Sequence, residues 1–187
     1  GSWHRYAPQT PWQKPTHQAS LILDTDDEVY VCFNALEIRL SGDREAPAIG
    51  PDLMDEPPAL AEVVRRARTL PPATTLRDAL LNQWVAAGIG NVYKSELLFL
   101  HGLHPRRTLA EVDDDTLMAV YQTASVLLKR NLGRGPRTTR FVDDEAGRLW
   151  VYGRRGQPCF HCAAPIEYAL EGKDRRATYW CPRCQAG

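Results

Sequence analysis

The sequence predicts an α+β fold in three parts: strands near the N-terminus, helices in the middle and a β-hairpin at the C-terminus. Three observations support this prediction. Bulky residues in ASLILD and EVYVCF suit strands, four amphipathic or capped segments between residues 55 and 130 suit helices, and two Cys-x2-Cys pairs accompany strand-like segments near the C-terminus. With 187 residues, 43% of them hydrophobic, the chain is long enough for one core and a smaller module.

The N-terminal part is predicted as a β-hairpin. Its strands are ASLILD (19–24) and EVYVCF (28–33), and a short acidic turn separates them. EIRL (37–40) is a candidate third strand. Cys32 lies inside the apolar second strand and is therefore predicted to be a buried thiol.

Four helices are predicted in the middle of the chain. The first, in DEPPALAEVVRRARTL, has prolines at a permitted first-turn position, and the second, in TTLRDALLNQ, has a threonine cap and ends near Asn82. The third, in NVYKSELLFLHG, ends at Gly102. The fourth, in DDDTLMAVYQTASVLLKR, carries aspartates at its positive end and Lys129 and Arg130 at its negative end. The apolar face of the first helix is formed by Leu60, Val63, Val64 and Ala67.

The segment AAGIGN (86–91) lies between the second and third helices. Gly88 and Gly90 let the backbone turn sharply and approach a ligand, and Asn91 is predicted to cap the following helix, whose first N–H groups suit an anion. A lone Gly-x-Gly is more often a tight turn between packed helices. From this segment alone, a phosphate-binding turn and a purely structural turn both stay open.

Charge is distributed unevenly along the chain. Residues 1–128 carry 11 Lys and Arg against 17 Asp and Glu, whereas residues 129–187 carry 12 against 6, so a net charge of zero hides a basic C-terminal third. Such a module commonly faces phosphate, although a solvated polar surface would look the same. The first thirty residues contain no signal-peptide pattern, and no run of eighteen apolar residues occurs, so a cytoplasmic protein without a membrane partner is expected.

The cysteine pairs predict a metal site. Cys159, Cys162, Cys181 and Cys184 have the spacing that places four thiolates around one tetrahedral Zn²⁺, and the alternative of two disulfides needs an oxidising compartment. LWVYG (149–153) and ATYW (177–180) are predicted as strands leading into the two knuckles, which describes a zinc ribbon. The zinc is expected to be structural and to supply about 10–16 kcal/mol to a module too small to fold alone. His161 is expected to be a spectator, because four sulfurs complete the shell.

Two stretches together resemble the Fpg/Nei family of DNA glycosylases, in particular its bacterial endonuclease VIII-like members. They are LLNQWVAAGIGNVYKSELLF and LWVYGRRGQPCFHC…RRATYWCPRCQ, and the resemblance runs from about Leu80 to Gln185. It implies a helix-two-turn-helix element followed by a zinc finger. It also implies base-excision repair: removal of oxidised bases and cleavage of abasic sites by β,δ-elimination, on double-stranded DNA with damaged bases or abasic sites, by a monomer.

The resemblance assigns DNA contacts to specific residues. The helix-two-turn-helix asparagine falls on Asn91, which would contact phosphates together with the backbone of Gly88 and Gly90, and the finger arginine falls on Arg176. Arg137 and Arg140 of the basic loop GRGPRTTR would add phosphate contacts. Such contacts position the duplex and carry little sequence information.

The resemblance also predicts the domain organisation. Residues 1–50 would be the remainder of an N-terminal β-sandwich domain, 51–132 the helical DNA-binding domain, 133–148 a basic loop and 149–187 the zinc finger. Family members attack deoxyribose through an N-terminal proline, assisted by a glutamate and a lysine, and none of these can be matched here, so no catalytic residue is assigned. The chain is therefore expected to supply mainly the DNA-binding part and to be inactive alone; the alternative is a non-catalytic zinc-dependent DNA- or RNA-binding module.

Overall fold

The computed structural model describes residues 2–35, 38, 49–133, 135–172 and 175–186. The chain divides into two units, Gly1–Pro47 and Ala48–Gly187. The residues that the sequence singles out for DNA and metal binding all lie in the second unit, and none of the helices in the described ranges is long and apolar enough to cross a membrane.

A three-stranded antiparallel sheet forms the first unit. Its strands are β1 (Ser2–Tyr6), β2 (Ala19–Asp24) and β3 (Val29–Phe33), in the order β1-β3-β2, with a 3-10 turn at Thr16–Gln18. The predicted hairpin of β2 and β3 is confirmed, whereas β1 is an additional strand that was not predicted from the sequence. The candidate strand over residues 37–40 lies outside the described residues apart from Ile38.

The core of this sheet is small and largely aromatic. Tyr6, Val31 and Phe33 are buried, and Trp12 packs edge-on against Phe33 with ring centroids 5.9 Å apart. Cys32 is 6% exposed on β3, which confirms the predicted buried thiol.

All four predicted helices are present in the second unit. They are α1 (Leu60–Thr69), α2 (Leu76–Leu81), α3 (Asn91–Leu100) and α4 (Asp114–Arg130), and a 3-10 turn at Leu109–Glu111 precedes α4. The helices pack pairwise, α1 on α4, α2 on α3 and α3 on α4. The most deeply buried core side chains include Val63, Ala67, Leu97, Leu98 and Tyr121.

Two details of the predicted helix starts are wrong. The prolines do not occupy the first turn of α1, because Ala59 has ψ of 58° and the helix begins only at Leu60. Thr75 stands directly before α2, but its hydroxyl donates to the Asp78 carboxylate at 2.7 Å and caps no backbone N–H. The predicted ends of α4 are confirmed: Asp113 accepts a hydrogen bond from the Thr116 N–H at 2.8 Å, and the last turn is basic.

The C-terminal module contains one antiparallel hairpin. Its strands are β4 (Glu167–Glu171) and β5 (Arg176–Trp180), paired from Glu167 opposite Trp180 to Glu171 opposite Arg176. The hairpin between the cysteine pairs and the strand before the second pair are therefore confirmed. Residues 149–153, predicted as a strand before the first pair, are not one.

A carboxylate on α3 explains why residues 149–153 form no strand. The N–H groups of Trp150, Val151 and Tyr152 all donate to Glu96, at 2.8, 2.9 and 2.8 Å. In a strand, successive N–H groups point to opposite edges and cannot share one acceptor. Three consecutive donors converging on one anion form a backbone nest instead.

Candidate nucleic-acid interface

The four cysteine sulfurs converge on one point. They lie within 4.8 Å of one another, and the Cys159–Cys184 and Cys162–Cys181 pairs are 3.8 and 3.4 Å apart. Sulfurs at the corners of a tetrahedron around zinc, each about 2.3 Å from it, are separated by about 3.8 Å. The arrangement therefore fits a closed metal site with four protein ligands.

Backbone N–H groups support the cysteine cluster. The N–H of His161 points to Cys159 Sγ and that of Cys184 to Cys181 Sγ, each at 3.4 Å. The His161 ring packs against Trp150 and Phe99, with centroid distances of 4.8 and 5.1 Å. The His161 ring is not part of the four-sulfur cluster.

The turn before α3 is tight on one side and open on the other. Gly88 has φ of +109°, and a side chain there would meet Leu128 at 3.0 Å. Gly90 lies in the extended region, and a Cβ at Gly90 would have no atom within 4 Å. Gln83 braces the turn by accepting from the Gly88 N–H at 3.3 Å and donating to the Ile89 carbonyl at 2.9 Å. The turn thus exposes backbone at Gly90, where a ligand can approach closely.

Asn91 is not the helix cap that the sequence predicts. Gly90 occupies the cap position, and Asn91 is the first helical residue. The side chain of Asn91 turns along the helix, where its Oδ1 accepts a hydrogen bond from Lys94 Nζ at 2.9 Å. The amide is therefore engaged by a neighbouring lysine one turn later, rather than by the backbone.

Three consecutive polar residues of α3, Lys94, Ser95 and Glu96, are completely buried. Lys94 donates to the Ala177 carbonyl and the Thr178 hydroxyl of β5, both at 2.8 Å, and the Tyr179 N–H points to Ser95 Oγ at 3.4 Å. Burial, with a smaller contribution from Arg77, lowers the pKa of Lys94 to about 8. These contacts join α3 to the finger hairpin, formed by β4 and β5, and no local sequence pattern predicted them.

Glu96 holds the segment that leads into the first knuckle. Besides the three N–H groups of residues 150–152, it accepts a short hydrogen bond from the Thr139 hydroxyl. A buried carboxylate is stabilised when its oxygens accept several hydrogen bonds of this kind. Glu96 therefore links α3 to both the basic loop and the cysteine module.

Arg176 and Arg137 lie near the start of α3. Arg176 is exposed at the beginning of β5, directly before Ala177, whose carbonyl binds Lys94. It lines a recess of about 160 Å³ together with Lys94 and Arg77. Arg137 is exposed, and its guanidinium lies 5.5 Å from the ring centroid of Tyr93 on α3.

Arg140 has a different environment from the other predicted contacts. It is 7% exposed, its Nη1 lies 2.6 Å from the Asp144 carboxylate, and the guanidinium stacks 4.2 Å from the Phe160 ring centroid. The Asp144 carboxylate raises the pKa of Arg140. A DNA contact by Arg140 stays a prediction, and it would require this ion pair to open.

The helical region matches a known domain. Residues 49–143 match the model of the formamidopyrimidine-DNA glycosylase H2TH domain. The chain belongs to the Fpg/Nei family. The predicted family resemblance is thereby confirmed, and the mixed fold with an N-terminal sheet, helices and a C-terminal hairpin is the Fpg fold.

Named relatives within the Fpg/Nei family cover nearly the whole chain. A probable endonuclease 8 2 of Streptomyces coelicolor is 37% identical over 194 residues, which include 100% of this chain and 69% of the relative. The DNA-(apurinic or apyrimidinic site) lyase Nei2 of Mycolicibacterium smegmatis is 37% identical over 176 residues, covering 90% of this chain and 67% of that protein.

Solved structures of Fpg proteins share the fold. The MutM (Fpg) protein of Thermus thermophilus superposes with a TM-score of 0.70 at 29% identity, over 92% of this chain and 70% of that one. Lactococcus lactis Fpg, crystallised non-covalently bound to DNA containing an AP site, gives a TM-score of 0.70 at 22% identity over 100% of this chain and 70% of that one. At 22% identity, the similarity to the Lactococcus lactis structure supports the fold and nothing further.

Proposed function

We propose that this chain serves base-excision DNA repair by a DNA glycosylase and abasic-site lyase of the endonuclease VIII type, to which its described residues contribute mainly DNA binding. The family membership supports the proposal, as do the relatives named endonuclease 8 2 and Nei2. Its reaction is the excision of oxidised bases followed by β,δ-elimination at the abasic site. Duplex DNA with damaged bases or abasic sites is the partner, and the bacterial cytoplasm is the compartment in which that DNA lies.

One observation carries the DNA-binding part of the proposal. A single atom, Lys94 Nζ, lies within 3 Å of both Asn91 Oδ1 and the carbonyl of Ala177, the residue after Arg176. Lys94 therefore brings Asn91 close to the start of β5, which carries Arg176, and we take these residues as one DNA-binding surface. Gly90 adds exposed backbone to the same surface.

On this surface, Asn91, the backbone of the Gly88–Gly90 turn, Arg176 and Arg137 bind phosphate oxygens of the duplex. Contacts of this type are independent of base sequence and fix the register of the protein on DNA. They also offset the cost of a few kcal/mol for moving the damaged nucleotide out of the base stack. These residues bind DNA, and none of them is assigned the role of the amine that attacks the deoxyribose.

The cysteine cluster completes the proposal. We propose that Cys159, Cys162, Cys181 and Cys184 hold one structural Zn²⁺, because the sulfur separations suit a tetrahedral ion. The ion would fix the two knuckles at the base of the hairpin that carries Arg176. With four protein ligands, the site has no open position for a substrate.

Equilibrium binding at several salt concentrations tests the grip on DNA. The probe is a duplex that carries a tetrahydrofuran abasic-site analogue, compared with the intact duplex by fluorescence anisotropy. Arg176→Ala should weaken binding to both duplexes by a similar factor and reduce the slope of log K against log salt by about 0.9. The matched control is Arg65→Ala, because Arg65 is exposed on α1 and paired with Glu62; it should leave the slope unchanged.

DNA binding by Arg176 and lyase activity are tested by different measurements. A salt slope unaffected by Arg176→Ala would remove Arg176 from the interface. Borohydride trapping on abasic DNA, applied to the protein as it occurs in the cell, tests the lyase chemistry separately. A covalent adduct supports the enzyme, whereas tight binding without an adduct favours the non-catalytic binding module.

A further inference from the structure

Lys94 is fully buried between α3 and β5, and all of its donors are used. An ammonium has three N–H groups and no acceptor. Three oxygens surround it: Asn91 Oδ1 at 2.9 Å, the Ala177 carbonyl at 2.8 Å and Thr178 Oγ1 at 2.8 Å. Two of the three belong to β5, so the finger hairpin fixes the position of Nζ, and Nζ in turn meets the Asn91 side chain.

This contact determines which way the Asn91 amide faces. Because an ammonium cannot accept a hydrogen bond, the atom of Asn91 next to Lys94 must be the oxygen and cannot be the nitrogen. The Nδ2 group, with its two donors, is then directed away from Lys94. Among the described residues, the only hydrogen bond of the Asn91 side chain is the one to Lys94. Its two N–H donors are therefore available to an external acceptor.

We propose that Lys94 is a positioning residue for DNA binding, which acts through Asn91 by holding the amide with Nδ2 outward toward a backbone phosphate. This inference rests on the proposed contact between Asn91 and DNA. Without the lysine, the amide could rotate by 180° and present its oxygen to the phosphate, and two acceptors would repel each other. The ordering of the amide also occurs before binding, so the complex does not incur its entropic cost.

The surroundings explain why the residue is a lysine and not an apolar side chain. The Ala177 carbonyl, the Thr178 hydroxyl and Asn91 Oδ1 would each lose a donor next to an apolar group, which is costly for buried acceptors. The carboxylates of Asp78 and Glu171 compensate the ammonium charge, while Arg77 and Arg176 oppose it. Lys94 borders the recess lined by Arg77 and Arg176, but all three of its N–H donors are used by protein oxygens, so none is left for a phosphate.

A double-mutant cycle on duplex DNA carrying the tetrahydrofuran analogue tests the inference. Asn91→Ala removes one hydrogen bond to phosphate and should weaken binding about tenfold. Lys94→Met, which keeps the length of the side chain, should weaken binding by a similar factor. The double variant should also bind about tenfold more weakly than wild type, and not about a hundredfold, because Lys94 acts through Asn91.

A purely structural role for Lys94 would give another pattern. In that case Lys94→Met would weaken binding by the same factor whether residue 91 is asparagine or alanine, and this additive result would overturn the inference. If Asn91→Ala itself leaves the affinity unchanged, the proposed DNA contact of Asn91 fails as well. The two failures are therefore distinguishable within one experiment.

A measurement on the wild-type protein keeps the inference testable if Lys94→Met does not fold. The side-chain NH2 resonance of Asn91, assigned by its loss in Asn91→Ala, should shift in the 15N spectrum when duplex is added. Asn91→Asp keeps an oxygen facing Lys94 and replaces the outward donor by an oxygen, so it should bind more weakly than Asn91→Ala. An unshifted amide resonance, or wild-type affinity in Asn91→Asp, would contradict the proposed orientation.

Discussion

Replacing Glu96 by glutamine should loosen the junction between α3 and the cysteine module. In the wild type, one oxygen of Glu96 accepts the N–H groups of Val151 and Tyr152, and the other accepts Trp150 N–H and the Thr139 hydroxyl. Glutamine has only one oxygen, so two of these four donors would face an NH2 group. Hydrogen bonds to a charged acceptor contribute about 1.5–3 kcal/mol each. The expected loss is therefore at least ~3 kcal/mol of unfolding free energy, or roughly 10 °C in Tm for a unit of this size.

Urea unfolding followed by tryptophan fluorescence and far-ultraviolet circular dichroism measures this loss. The matched control is Glu62→Gln on α1, where the carboxylate pairs with Arg65 and Arg66 at the surface. The control should lower stability far less, because exposed ion pairs contribute little. Equal effects of the two substitutions would refute the reasoning that the nest of N–H groups depends on the Glu96 carboxylate.

Three further results are expected. Metal analysis should find one zinc per chain. Cys181→Ser should lose the zinc, the hairpin and DNA binding, whereas the control Cys32→Ser should retain zinc. A folded, metal-free protein with full affinity for DNA would contradict the metal site. Gly88→Ala should lower the unfolding free energy by about 1 kcal/mol or more, because φ is +109° at Gly88. Gly90→Ala should leave stability unchanged and weaken DNA binding. If urea unfolding showed Gly90→Ala to be the less stable variant, the described geometry of the turn would be contradicted. The pKa of Lys94 is lowered from 10.5 to about 8, so between these values the unfolded chain binds the extra proton and the unfolding free energy should rise with pH. That rise, measured as the difference between wild type and Lys94→Met, should be absent if the lysine is solvated.

Local patterns in the sequence were sufficient to predict most of the elements. The four helices, the hairpin of β2 and β3, and strand β5 have clear apolar periodicity, caps or turn residues, and these signals lie within the elements themselves. The end of α4 is an example, since its basic last turn suits the helix dipole whatever surrounds it.

Two of the predictions that failed depend on residues distant in sequence. LWVYG has strand-like alternation, but its N–H groups are taken by Glu96, more than fifty residues earlier. Asn91 has the chemistry of a cap, but Lys94, anchored by β5 about eighty residues later, draws its side chain along the helix. No local pattern contains these partners.

The site was only partly visible in the sequence. Family resemblance predicts DNA contacts by Asn91 and Arg176, and spacing predicted the cysteine cluster, but neither pointed to Lys94 or Glu96. One signal in the sequence could have pointed to Lys94 and Glu96. The polar run Lys-Ser-Glu interrupts an otherwise apolar helix, and helices are predicted on both sides of it in the chain. Three consecutive polar residues point in three directions on a helix, so at least one must be buried and paired.

Hydrogen exchange with and without abasic-site duplex tests most directly whether DNA lies on the surface formed by the Gly88–Asn91 turn and the start of β5. Backbone amides of the turn, the first turn of α3 and β5 should exchange more slowly in the complex, at zinc saturation and moderate salt. Amides of α1 (Leu60–Thr69) serve as the internal reference and should be unchanged. Protection of α1, with no protection of the turn or of β5, would contradict the account.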